Sequence, residues 1–411
     1  MKFSSNHYSK LKNSLARRYK SHLKKITTKA KESDLLSAEW FCENLEFFSE
    51  YSSINWYFLN HLSTILFLEG HEFNSEDSDI FNEEDEQVFE IWNQSEFTDI
   101  FLKSMNKTSS LEMSSRVTIP IYDAHLIALG KIHVTKEINF SSDYRPQISL
   151  GEILKSKKYF KLLETTLHFN GKEIKLLSHS LKEMKDFSNR IDSALKLIRL
   201  YSPSSWDRFS AFTDVIVPIK QAEFVSYSQQ DYPGVSMINL YDRDFIDLLD
   251  DLLHENGHHH LNYYLNLEVL IEEPLEQIYY SPWRRTPRPL RGIYHAYFTF
   301  FWAFKLFADI LDSKAESELY MFNKTEMNKI RFRAIEEFYM LDYSFKDLKW
   351  ARKKKLIHDE GWELIEAQQL ILKKYKTKIK AWEKDLKSNK AELTQLKKTL
   401  ASAEKKYLKT R

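Results

Sequence analysis

The chain has 411 residues, 43% of them apolar and 14% aromatic, with near-neutral net charge, one cysteine, eight glycines and nine prolines. That composition excludes disorder along the whole length, an intramolecular disulfide framework and a multi-cysteine metal cluster. So few turn-forming residues argue against an all-β architecture and for long helices. No apolar run reaches the ~20 residues of a membrane-spanning helix, and the basic N-terminus lacks the apolar stretch of a secretory signal. A cytoplasmic location is expected, with no transmembrane association.

The expected fold is mainly α with a small β component (α+β), built on a helical metal-binding core and ending in a long C-terminal heptad helix. Residues 1–110 read as a predominantly helical N-terminal region. Leu11, Leu15, Tyr19 and Leu23 mark a basic amphipathic helix over 8–31. Trp40–Leu68 looks buried and helical, 70–87 forms an acidic insertion, and helix resumes at Val88–Leu102. Ten Lys/Arg and no acid fall in 1–31, whereas 72–90 carries nine acids and no base. Such segregation suits solvated helices or internal docking, and no specific nucleic-acid binding is expected.

Residues 111–372 read as a mixed α/β body. Val117–Tyr122 and Leu126–Val134 have weak strand character. Leu176–Ile198 carries the apolar stripe of a long helix. Val215–Ile219, Phe224–Tyr227 and Val235–Leu240 are extended, with the turn-like Asp231-Tyr232-Pro233-Gly234 joining the last two. Asp244–Tyr264 and Arg291–Leu311 read as helices.

Within the first of these helices lies His254-Glu255-Asn256-Gly257-His258. Histidines four residues apart share one helical face and can grip one divalent ion, while Glu255 points about 100° away. For Glu255 three readings stay open: a hydrolytic base, a group that supports a ligand, or neither. Gly257 weakens helix propensity by roughly 1 kcal/mol relative to Ala, a cost that some local gain must offset. His259 and His260 point elsewhere and are expected at the surface or behind the site. His295 stands 37 residues after His258 in an apolar helix, where an imidazole needs a metal or a polar partner. Glu272, Glu273 and Glu276 are its rivals as third ligand, with an ordinary helical surface as the plainer reading. Between them, Pro282, Pro287 and Pro289 stiffen a connection whose Arg284 and Arg288 offer guanidinium forks for a small diacid, and Trp283 reads as a packing anchor.

From 373 to 411 there are fourteen Lys/Arg against four acids. Ile379, Trp382, Leu386, Asn389, Leu393, Leu396, Leu400, Ala403 and Tyr407 follow heptad spacing, with Asn389 as a register-setting position. Residues 379–407 are therefore a candidate seam for a homo-oligomer or for packing on the body.

The combination resembles the family of His-Glu-x-x-His enzymes associated with ribosomally made, modified peptides. The resemblance rests on Phe224-Val225-Ser226-Tyr227-Ser228, the Gly234–Asn239 strand, His254-Glu255-Asn256-Gly257-His258, Pro282-Trp283-Arg284, Arg288-Pro289-Leu290 and Gly292-Ile293-Tyr294-His295. It covers about residues 210–310. It implies an iron(II)- and 2-oxoglutarate-dependent oxygenase that hydroxylates a side-chain β-carbon of a ribosomal precursor peptide. His254, His258 and His295 would bind iron, and Arg284 or Arg288 would clamp the cosubstrate. A zinc(II) peptidase using Glu255 as base, or a noncatalytic peptide-binding or structural protein, are the alternative expectations.

Overall fold

A computed structural model describes residues 3–15, 17, 147–148, 181–213, 215–219, 225–228, 235–239, 242–313 and 322–408. The features expected over 40–68, 70–87, 88–102, 117–122 and 126–134 lie outside the described residues. Among those described, the protein is mainly helical with a small β component. They fall in two compact units, one made of Lys10–Ser188 and Thr213–Tyr241, the other of Met1–Ser9, Asn189–Phe212 and Asp242–Arg411.

The unit containing Thr213–Tyr241 holds a four-stranded sheet. Its strands are β1 (Gln147–Ile148), β2 (Val215–Ile219), β3 (Tyr227–Ser228) and β4 (Val235–Asn239), in the order β1-β2-β4-β3. β2 runs parallel to both neighbours, and β3 pairs antiparallel with β4.

The other unit is a helical assembly. It takes the helix at residues 5–15 (α1) as far as Ser9 and α2 (Leu181–Tyr201) from Asn189 onward, followed by α3 (Pro203–Phe212) and the central helix α4 (Phe245–Leu265). α4 starts where its sequence dictates. Asp244 accepts hydrogen bonds from the backbone N–H groups of Ile246 and Asp247, and Asp247 reciprocates at the Asp244 N–H. Lys329 pairs with both carboxylates. The helix is buried on nearly every side, from Ile246 and Leu249 through Leu252, Leu253, Leu261 and Tyr263.

A short hairpin, β5 (Tyr279–Ser281) and β6 (Thr286–Arg288), leads to α5 (Leu290–Asp312). Tyr294, Tyr297, Phe298, Phe301, Trp302 and Phe304 are all buried on α5, each contributing roughly 1.5–3 kcal/mol of apolar burial. α4 and α5 pack unusually close because of Gly257: a Cβ there would lie 3.0 Å from Thr299 Cα and 3.2 Å from Trp302 Cδ1. Close packing is the gain that offsets the poor helix propensity of glycine.

α6 (Lys324–Lys353), α7 (Asp359–Lys374), α8 (Lys376–Asp385) and α9 (Lys390–Ala403) complete this unit, followed by a π-turn at Glu404–Leu408. The C-terminal segment is helical as expected, but its heptad register is interrupted. Asn389 is left-handed (φ 64°) and serves as the N-cap position of α9, not as a polar seam residue of a continuous zipper. Asn328 of α6 holds the break, accepting from the N–H of Lys387 at 3.0 Å and donating to Asn389 Oδ1 at 3.2 Å. Ile379, Trp382, Leu386, Leu393, Leu400 and Ala403 are buried within the chain itself, with Leu400 and Ala403 clustered on Tyr280 and Tyr343.

No described helix is long and apolar enough to cross a membrane. Replacing Gly257 by Val should force α4 and α5 apart and cost about 1–3 kcal/mol or more, read as a lowered urea midpoint with an unchanged slope.

Candidate metal centre

His254 and His258 sit one turn apart on α4, and their Nε2 atoms approach to 3.2 Å. Two imidazole nitrogens bound at ~2.0–2.1 Å to a common ion would stand about 3.0–3.4 Å apart, a spacing that this pair matches. Without an ion, one Nε2 donates to the other as two neutral rings. His295, on the second turn of α5, faces the pair: its ring centroid lies 6.0 Å from that of His258, against 4.9 Å between His254 and His258. Two rings on one ion would stand roughly 4.5–5.3 Å apart, so His295 is about an ångström outside closure. Accordingly, among the described residues no group of three or more His, Cys, Asp or Glu side chains is already spaced to hold an ion.

The surroundings keep these rings neutral. His295 Nε2 is buried and has no hydrogen-bond partner, and neither has His254 Nδ1. The first suits a donor atom awaiting an ion. The second departs from the usual arrangement, in which a ligand imidazole donates through its other nitrogen. Burial, then the charges of Arg284 and Arg333, push His254 down to about 3. His258 lies well below the usual histidine range through burial and the neighbouring His254 and His259, and His295 through burial, His258 and Arg291. Protons therefore compete little with a metal for these nitrogens near neutrality.

The hairpin supplies the wall. Trp283 stacks on Phe300 at 4.7 Å and 7°, and Phe300 lies 4.1 Å from the His254 ring, so the tryptophan is a packing anchor as expected. Its Nε1 donates to Glu337 Oε2 of α6 at 2.8 Å. Arg284, in the exposed turn of the hairpin, acts on His254 through its charge. Arg288 folds along the first turn of α5, with Nε 3.7 Å from where a Gly292 Cβ would stand, one turn before His295. The two arginines thus come from opposite ends of the hairpin turn, Arg284 beside His254 and Arg288 beside the start of the His295 helix.

Glu255 is buried beside His254, off the face that the two histidines share. The three rival glutamates are not on a helix: residues 268–278 form an irregular connection held to the α6–α7 junction through the Ile271–Ile357 bridge. Glu273 pairs with Arg291 at 2.8 Å and Glu272 hydrogen-bonds His358 at 2.9 Å, so both already have partners at the surface. His259 and His260 are fully buried, contrary to the surface reading. α4 is surrounded on nearly all sides, so a ring that leaves the metal face enters the core instead of solvent.

Sequence reasoning passed over Asp250, Arg333, Glu336 and Glu337. Arg333 bonds to Asp250 and Glu336, and stands 3.5 Å from Glu337. Asp250 precedes His254 by four residues, the same spacing that links His254 to His258, and that periodicity was the available signal. Nothing in the sequence marks Arg333 as its partner across 83 residues.

No protein-family model matches the chain, and no curated protein matches it significantly.

Burial also lowers His259, to about 3, and His260. Both stay neutral in the fold while the unfolded chain takes up protons below about pH 6.5. Stability is therefore complete above that pH and falls on acidification toward pH 3, by about 1.4 kcal/mol per pH unit for each proton taken up. Urea unfolding of the metal-free protein between pH 7.5 and 4 checks this slope.

Proposed function

We propose that this chain is an iron(II)- and 2-oxoglutarate-dependent oxygenase that hydroxylates a side-chain β-carbon in a ribosomally synthesised precursor peptide. The observation that carries the reading is the approach of His254 and His258 Nε2 to 3.2 Å, with the buried, unpartnered Nε2 of His295 on the helix opposite. The resemblance of residues 210–310 to the peptide-modifying His-Glu-x-x-His enzymes supplies the reaction class.

His254, His258 and His295 would hold the ion through neutral nitrogens on one side, leaving its other positions open. Iron, when bound, supplies oxygen activation: 2-oxoglutarate is decarboxylated to succinate and carbon dioxide, one oxygen atom enters succinate and the other a substrate C–H bond. The chain's own residues do the positioning. Arg284, whose charge acts on His254, would pair with the far carboxylate of the diacid, and Arg288 would offer the same fork beside α5. Phe300 and Trp283 shield the His254 side from water. Glu255 fills a supporting position behind the ligand helix. In the alternative zinc peptidase His295 or a downstream glutamate would be the third donor, and the surface contacts of Glu272 and Glu273 weigh against those two glutamates in that role.

Anaerobic loading with iron(II), followed by 2-oxoglutarate, oxygen and a candidate precursor peptide, tests the assignment. Peptide-dependent succinate release with a product gaining one oxygen atom is expected. Oxygen-independent peptide cleavage with zinc would overturn it. His295→Ala should weaken iron binding by more than the ~10–100-fold typical of outer-sphere losses, and unchanged occupancy would remove His295 from the ligand set. Arg284→Met should raise the KM for 2-oxoglutarate by about 10- to 100-fold, the loss of a charge-assisted bond, with a smaller change for Arg288→Met. The reverse order would transfer the clamp to Arg288.

A further inference from the structure

Away from the histidine pair, the same unit buries an unanswered positive charge. Arg208 of α3 is fully enclosed. Of its five N–H donors, those on Nε and Nη1 have no hydrogen-bond partner, and Nη2 reaches the Leu253 carbonyl only at 3.4 Å. The guanidinium stacks 3.8 Å over the Trp302 ring. Such stacking is favourable but falls short of the several kcal/mol that burying an ion costs. Burial lowers Arg208 to about 9, and among the described residues Tyr8 is the group that opposes it, while the nearest carboxylate influence in the nest is that of Asp207 on Tyr8.

The neighbours share the deficit. Tyr8 Oη, Trp302 Nε1 and both ring nitrogens of His260 are buried without hydrogen-bond partners. These residues touch one another: His260 lies 5.1 Å from Tyr8 and 6.1 Å from Trp302, ring to ring. Phe3, Phe212 and Phe298 enclose the imidazole and offer no acceptor. Native folds leave few buried polar atoms unpaired, so several in one nest require a common cause. Ordered water can satisfy donors, but it does not neutralise the guanidinium.

We infer that Arg208, Tyr8, Trp302 and His260 form a buried binding site for one small monovalent anion, either a halide or the carboxylate of a small organic acid. A single formal charge calls for a single counter-charge. Trp302 can only donate, Tyr8 and a neutral imidazole each have a proton to give, and the guanidinium adds its unused N–H groups, so the missing partner is an acceptor. The aromatic walls select for a compact ion. The site is distinct from the proposed metal centre, because Leu253, Asn256 and His260 form one face of α4 and His254 and His258 another. The N-terminal segment closes it: Phe3 packs edge-on against Trp302 at 5.1 Å, His7 bonds Tyr264 at 2.7 Å, and Ser5 bonds Asp207 at 2.6 Å. Bound anion and docked N-terminus therefore stabilise each other.

The test uses the full chain crystallised in sodium bromide and, separately, in sodium formate. An anomalous bromide peak, or a formate molecule, within hydrogen-bonding reach of Arg208 Nε or Nη1 and of Tyr8 Oη is expected, and which of the two enters identifies the source. In solution at constant ionic strength, the same anion should raise the Tm saturably over sodium gluconate, whose anion is too large for the nest. Tyr8→Phe, which keeps the ring and removes one donor, should shift the half-saturating concentration by about tenfold. Water alone in the nest under both crystal conditions overturns the inference, and so does an anion effect on Tm that Tyr8→Phe leaves unchanged.

Discussion

The close approach of α4 to α5 at Gly257 is the constraint on which the rest depends. With the position of a Cβ only 3.0 Å from the Thr299 backbone, no larger side chain fits without separating the helices. Their proximity sets two different faces of α4 against two parts of α5. On one side His254 meets Phe300, and His258 faces His295. On the other His260 meets Phe298 and Trp302, with Arg208 stacked over the same indole. A poor helix former in the middle of the best helix thus serves as the spacer for both polar sites.

Much of this framework was legible in local chemistry. Asp244 announced the start of α4, and the apolar period through Leu248, Leu249, Leu252 and Leu253 placed its buried faces. The apolar run after Pro289 gave α5 to within a residue at each end, and the strands at 215–219 and 235–239 followed from β-branched content. The His254–His258 pairing is legible for the same reason, since i and i+4 neighbours are dictated by helix geometry alone.

What local pattern missed was set by distant partners. Asn389 has the spacing of a seam residue, yet Asn328, 61 positions earlier in α6, holds it in a left-handed break. The glutamates of 268–278 have the charge spacing of a helical surface, but that stretch is an irregular connection tied to Ile357 through the Ile271 bridge. His259 and His260 read as surface residues or as residues behind the site, and the surface half of that reading fails. Their burial depends on how many elements surround α4, a tertiary property that the period of one helix does not carry. The link from Trp283 to Glu337 has the same origin, since it joins a hairpin turn to a helix more than fifty residues away.

The charge pattern around His254 also constrains the order in which a site of the proposed kind fills. Three neutral imidazoles bring no negative charge to a dication, while Arg284 and Arg333 both lie close enough to depress His254 further. Asp250, Glu336 and Glu337 offset Arg333, leaving Arg284 without a carboxylate partner among the described ion pairs. An ion placed here alone would feel the repulsion of the Arg284 guanidinium, and a diacid placed here alone would meet three uncharged rings. Bound together, the dianion answers both cations at once. On the proposed reading, metal and cosubstrate affinities are therefore reciprocally coupled, each raised by the same factor when the other is present. Arg284→Met should erase most of that coupling while relieving the repulsion on the metal alone. Iron titrations with and without 2-oxoglutarate would then converge in the variant and stay apart in the parent protein.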